Sequence, residues 1–181
     1  MADTIATPDA VRKNRILAFS IAAAIFAADQ ISKWIVIYVI GLPNQPSLAG
    51  PPSIELLPFF NLTWTENRGV SMGFLTATTN LARWLLVGLT AAIATGVLVW
   101  ILREKNRGDA IALSFVLGGA LGNIVDRVRY GYVADFLDLH IGEWRPFLIF
   151  NVADAAITIG VLLLLVRALL TREKKTPRKE V

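Results

Sequence analysis

The sequence predicts an all-α polytopic membrane protein, with four transmembrane helices and a small extracytoplasmic β-cradle and loop. Three observations lead there. Of the 181 residues, 55% are hydrophobic, more than a soluble domain of this size carries. Four apolar stretches each reach the roughly 20 residues needed to cross a hydrocarbon core of about 30 Å. The basic residues sit beside those stretches and form no continuous stripe, so the net charge of +4 reads as membrane topology and not as nucleic-acid binding.

The first span is expected at about 16–40. Arg12, Lys13 and Arg15 precede it. Basic residues before the alanine cluster Ala22-Ala23-Ala24 and Ala27-Ala28 also resemble a secretory signal, but the apolar run resumes through Trp34 to Ile40, long enough to span. The outer segment 41–80 opens with a turn-rich stretch of Gly, Pro, Asn and Ser at 41–53. In it Phe60, Leu62 and Trp64 alternate with Asn61, Thr63 and Thr65, the period of a half-buried strand lying on the membrane surface. The second span is expected at 81–102, the third at about 110–128, a second outer loop at 129–146 and the fourth span at 147–170. The charged remainder, 171–181, reads as a cytoplasmic tail, and the whole chain, 1–181, as one membrane-embedded domain.

Arg103, Lys105 and Arg107 lie between spans two and three, and Arg172, Lys174, Lys175, Arg178 and Lys179 follow span four. With the N-terminal cluster they fall on one side of an even-numbered bundle, which predicts both termini in the cytoplasm. Trp34, Tyr38, Trp84 and Trp144 fall near the expected outer ends, as an aromatic belt does.

The chain has no cysteine and a single histidine, His140. Thiolate chemistry, disulfides and a histidine-rich metal site are excluded, and the chemistry rests on carboxylates, hydroxyls and amides, with no cofactor or metal expected. An ionisable group inside a span is costly and is a functional candidate by default. Asp29 lies about 14 residues into the first span, roughly 20 Å from its inner end. Asn123, Asp126 and Arg127 end the third span on one helix face. Asn151 and Asp154 are expected about four to seven residues into the fourth. Asp29 and Lys33 have the spacing of an intrahelical ion pair, and Gly118, Gly119 and Gly122 allow close helix approach.

Plainer roles exist for several of these: a structural pair for Asp29 and Lys33, mutual neutralisation for Asp126 and Arg127, loop acids for Asp135 and Asp138. Asp154 has no basic residue within four positions. Two aspartates near one water-accessible site can share a proton, one acting as general base on water and the other as general acid toward a carbonyl. Asp126, Asp135 and Asp154 are the candidates. A competing pattern, Gly69-Val70-Ser71-Met72-Gly73, matches a nucleophile elbow. The chain has no room for the sheet that motif requires, and Ser71 has only His140 as a base. A small proton- or solute-coupled transporter is the non-enzymatic alternative, although the inner halves of the spans are nearly free of charge.

Five motifs in order complete the reading: Asp29-Gln30-Ile31-Ser32-Lys33; Asn67-Arg68-Gly69-Val70-Ser71; Gly118-Gly119-Ala120-Leu121-Gly122-Asn123-Ile124-Val125-Asp126-Arg127; Val133-Ala134-Asp135-Phe136; and Phe150-Asn151-Val152-Ala153-Asp154. On these the chain resembles the lipoprotein signal peptidases, or signal peptidase II, bacterial aspartic proteases of the membrane. The resemblance implies removal of the signal peptide from diacylglyceryl-modified prolipoproteins, just before the lipidated cysteine, at the outer face of the bacterial cytoplasmic (inner) membrane. It implies a catalytic pair at Asp135 and Asp154. Asn67, Gly69, Asn123, Asp126, Arg127 and Asn151 would line or order the site, Asp29 and Lys33 would support it, and a β-cradle before the second helix would hold substrate. It also implies contact with membrane lipids and inhibition by globomycin-type compounds. Met72 stands where the family often has an aromatic residue. Because Arg127 favours ionised Asp126, Asp135 is the better partner for Asp154.

Overall fold

The computed structural model describes residues 7–47, 50–69, 80–142 and 144–172. Four helices in it are long and apolar enough to cross a membrane. The first, α1 (Pro8–Trp34), begins well before the apolar run, because Thr7 caps it by accepting from the Ala10 amide and Pro8 pre-sets its first turn. It continues as a π-helical turn over Ile35–Val39. Gly41, in the left-handed region at φ 67°, ends it and leads into a 3-10 turn at Leu42–Asn44.

After α2 (Asn80–Arg103), Asn106 caps α3 (Arg107–Arg129) by accepting from the Gly108 and Asp109 amides. The last helix, α4 (Val152–Arg172), starts later than the apolar pattern implies. Residues 147–151 precede the helix, so the fourth span is shorter at its start than 147–170.

The third helix is the centre of the bundle. Just over half of its apolar window (56%) is buried, against 17% for each of the others, and it packs against α1, α2 and α4. Water expulsion does not drive helices together inside lipid, so close backbone approach has to do so. Small residues make that approach possible. A Cβ on Gly118 would lie 2.6 Å from the Ala22 carbonyl oxygen of α1, and one on Gly160 of α4 would lie 2.6 Å from that of Ala112. Ala18, Ala22, Ala94, Ile101, Ala110, Leu113 and Leu117 form the apolar core between α1, α2 and α3.

A three-stranded antiparallel sheet sits at the end of the bundle where α1 and α3 finish and α4 starts: β1 (Ser53–Leu57), β2 (Phe60–Asn67) and β3 (Val133–Leu139), in that order. The alternation at 60–65 is therefore a strand, as expected. The expectation for 129–146 is corrected, since it supplies the third strand and not only a loop. Thr65 pairs with Asp135 and Asn67 with Val133, so β2 carries Asn67 to the same end of the sheet as Asp135. Val36, Leu42, Leu62, Trp64, Ala134 and Phe136 form a second core that seats the sheet on the end of α1.

Candidate active site

The site is built in two polar layers. In the inner one Lys33 lies between two acids, with Nζ 2.8 Å from Asp29 Oδ2 and 2.6 Å from Asp126 Oδ2. All three side chains are fully enclosed. Gln30 donates to Asp29 Oδ2 at 3.1 Å and to Asp126 Oδ1 at 3.0 Å. Asp29 Oδ1 accepts the Ala153 amide, a free donor in the first turn of α4, at 2.9 Å. Asp126 Oδ2 accepts the Ala134 amide at 3.2 Å. One cation and several N–H donors thus hold two buried carboxylates, which unpaired would be very costly there. The mutual neutralisation considered for Asp126 and Arg127 is not formed. Adjacent helical residues do not face each other, and the partner of Asp126 is Lys33, from another helix.

The outer layer holds Asp135 and Asp154, linked through Asn123 and Asn151. Asn151 is the N-cap of α4: its Oδ1 accepts the Asp154 amide at 2.9 Å, and Asp154 Oδ2 accepts the Asn151 amide at 3.3 Å. This is a capping box with Asp in the Glu position. The three-residue spacing, read in sequence as a position several residues inside the span, is corrected to a helix start. Asn151 Nδ2 donates to Asp135 Oδ1 at 2.6 Å. Asn123 donates to Asp154 Oδ1 at 2.8 Å, and its Oδ1 accepts from Asn151 and, at 3.4 Å, from Lys33. The two layers are continuous.

Asp135 is enclosed, while Asp154 is half-buried. Burial, and then the neighbouring charge of Asp154, push the Asp135 carboxyl up to about 7, opposed by hydrogen bonds from Asn67 and Asn151 and by Lys33. Asn67 also accepts the Gly69 amide at 3.1 Å, a tight turn in which Gly69 takes φ 112°, conformational space that favours glycine. Arg127 lies within electrostatic range of Asp154 and Asp135, and its buried Nε has no hydrogen-bond partner among the described residues.

The remaining candidates lie apart. Asp138 is buried and held by Thr63 at 3.0 Å and by Arg145, which makes it a strut of the sheet. Ser71, Met72 and the rest of the Gly-Val-Ser-Met-Gly pattern after Gly69 lie outside the described residues, as does the tail from 173. Sequence reasoning gave no role to Gln30, which joins both inner acids, or to Arg83, which caps the end of α3 by donating to the Arg127 carbonyl at 2.8 Å. Arg83 was detectable as the lone charge within the second apolar run. Among the described residues no three or more of His, Asp and Glu are grouped to hold a metal ion.

A family model described as signal peptidase (SPase) II matches residues 21–170. The chain belongs to the signal peptidase II family. It is 57% identical to a lipoprotein signal peptidase of Rhizorhabdus wittichii over 173 residues, covering 96% of this chain and 97% of the relative. It is also 57% identical to one of Sphingopyxis alaskensis, over 84% of this chain and 85% of the relative. A solved bacterial membrane enzyme, 31% identical, superposes with a TM-score of 0.71 over 91% of this chain and 94% of its own. The chain is thus a multi-pass membrane peptidase.

Proposed function

We propose that this chain is an aspartic endopeptidase that removes the signal peptide from diacylglyceryl-modified prolipoproteins, cutting just before the lipidated cysteine, with Asp135 and Asp154 as its catalytic pair. The observation that carries the reading is Asn151, one residue that hydrogen-bonds Asp135 and forms a reciprocal cap with Asp154. A carboxyl near 7 beside a second, more open carboxyl suits a pair holding one proton between them.

The ionised member takes a proton from water as the water oxygen attacks the scissile carbonyl carbon. The protonated member gives its proton to the carbonyl oxygen, leaving a neutral tetrahedral diol. As that collapses, the proton taken from water passes to the leaving nitrogen, the C–N bond breaks, and a diol hydroxyl returns its proton to the pair. Asn67, Asn123 and Asn151 hold the carboxyls in register, and Arg127 brings a positive charge within range of both. The Lys33 layer supports α4 from below.

The three basic clusters support a chain in the bacterial cytoplasmic membrane with both termini cytoplasmic and the site near the outer face. Membrane lipids are its surroundings and globomycin-type compounds its inhibitors. The test is cleavage by purified protein of a prolipoprotein with and without its diacylglyceryl group, with and without globomycin. The account expects cleavage of the modified substrate alone, at the bond preceding the cysteine, blocked by globomycin. A folded preparation that leaves it intact contradicts the reading.

A further inference from the structure

A groove of about 530 Å³ runs from Asp154 to the outside of the bundle, between α4 and the segment entering it. One wall is the outer part of α4, with Ala155, Thr158 and Ile159. The other is the 146–150 segment with Phe147, Leu148 and Phe150. That wall is fixed, since the Phe150 carbonyl accepts the Leu137 amide at 2.8 Å and the Phe150 amide donates back to Leu137 at 3.1 Å. Among the described residues, Asp154 is the only charged one in the lining. At the mouth Leu148 is 91% exposed and Phe147 61% exposed. They sit just outside the first turn of a membrane span, so the groove opens to lipid.

We infer that this groove seats an acyl chain of the substrate's diacylglyceryl group, so that Ala155, Thr158 and Ile159 discriminate between substrates by acyl chain. The inference rests on the peptidase reading above and names what that site recognises. Three physical arguments select an acyl chain over the signal peptide. A peptide laid in an apolar lining would bury N–H and C=O groups without partners, whereas an alkyl chain has none. One turn of helix, about 10–12 Å across and 5.4 Å long, would alone fill roughly the whole volume. The mouth faces the medium in which the acyl chains already lie.

The chain moves from one apolar medium to another, so the groove contributes little affinity. What it contributes is register. A seated chain fixes the modified residue beside Asp154, and the signal peptide extends toward Asp135 and the sheet.

Two measurements test this on the full-length protein in detergent. The first compares kcat/KM for dipalmitoyl- and dibutyryl-modified prolipoprotein in the wild type, Thr158→Trp, and Leu89→Trp on the exposed face of α2. The wild type should prefer the long chains, Thr158→Trp should lose that preference by on the order of tenfold, and Leu89→Trp should keep it. A preference unchanged in Thr158→Trp overturns the inference. The second needs no variant: a diazirine on the substrate's acyl chain is photolysed and the label mapped. Label on 146–159 supports the seat. Label elsewhere on the protein overturns it, as does label on 146–159 from a diazirine placed on the signal peptide instead. Should the wild type cleave neither substrate, the peptidase reading itself falls, a result distinct from cleavage without chain discrimination.

Discussion

Asn151 donates from Nδ2 to Asp135 Oδ1 at 2.6 Å while its own Oδ1 accepts the amide of Asp154 at 2.9 Å. A single side chain therefore sets the spacing of a strand acid and a helix acid. Its two ends do different work, which makes them separable. Asn151→Ala should lose the cap, about 1 kcal/mol of stability, and the link to Asp135, with kcat/KM falling on the order of a hundredfold. Asn151→Asp keeps a capping acceptor but no amide donor. It should be as inactive as Asn151→Ala and, because a buried carboxyl then faces the Asp135 Oδ1 and Ala134 carbonyl acceptors with no donor between them, less stable than the wild type despite the retained cap. Thermal unfolding and initial rates on the same preparations check both.

Activity should fall as pH rises through about 7, where the pair loses its shared proton. Asp154→Asn removes one of the influences that raise Asp135, so in that variant the Asp135 carboxyl should titrate lower, read from its infrared carbonyl band. Stability has a defined sign as well. A carboxyl raised from 3.8 to about 7 favours the folded state fully at pH values below the unfolded value, and that contribution is lost progressively as pH rises through the folded one. Thermal stability measured across that window should decline with increasing pH by this contribution.

Lys33→Met leaves Asp29 and Asp126 enclosed without their cation. Breaking a buried ion pair on one side costs about 3–5 kcal/mol, and thermal unfolding in detergent should show a loss of that order. Adding Asp29→Asn and Asp126→Asn to Lys33→Met removes the uncompensated charges and should restore most of it. A triple variant no more stable than Lys33→Met contradicts an electrostatic role for the layer.

Two glycines should respond in opposite ways to alanine. At Gly122 a Cβ would collide with Asp29 Oδ2, so Gly122→Ala displaces the inner layer and should cost about 1–3 kcal/mol. At Gly88 of α2 a Cβ meets nothing within 4 Å, and Gly88→Ala should stabilise by about 0.5–1 kcal/mol. Melting temperatures of the two variants decide the comparison.

Much of this was legible in the sequence because lipid imposes strong constraints. Apolar runs and basic flanks give spans, and every polar residue inside a span stands out against them. Asp29, Lys33, Asn123, Asp126 and Asp154 were all visible in that way. What sequence periodicity could not give were the partners from other helices. Lys33 lies beside Asp29 in its own helix, so its bond to Asp126 was hidden and Arg127 appeared the natural neighbour. The start of α4 was misplaced because Phe147, Leu148 and Phe150 are apolar for a different reason: they line an apolar groove outside the helix. The third strand was missed because Val133–Leu139 is buried on both faces around Asp135 and Asp138, which erases the alternation that exposed β2.

The most direct test of the central claim is single-turnover cleavage of a diacylglyceryl-modified prolipoprotein by the wild type, Asp135→Asn, Asp154→Asn and Asp126→Asn, each shown to be folded. Asp135→Asn and Asp154→Asn should each abolish turnover, while Asp126→Asn, altered in the supporting layer, should keep part of it. Turnover that survives Asp135→Asn but is abolished by Asp126→Asn would contradict the assignment and move the catalytic pair to Asp126 and Asp154.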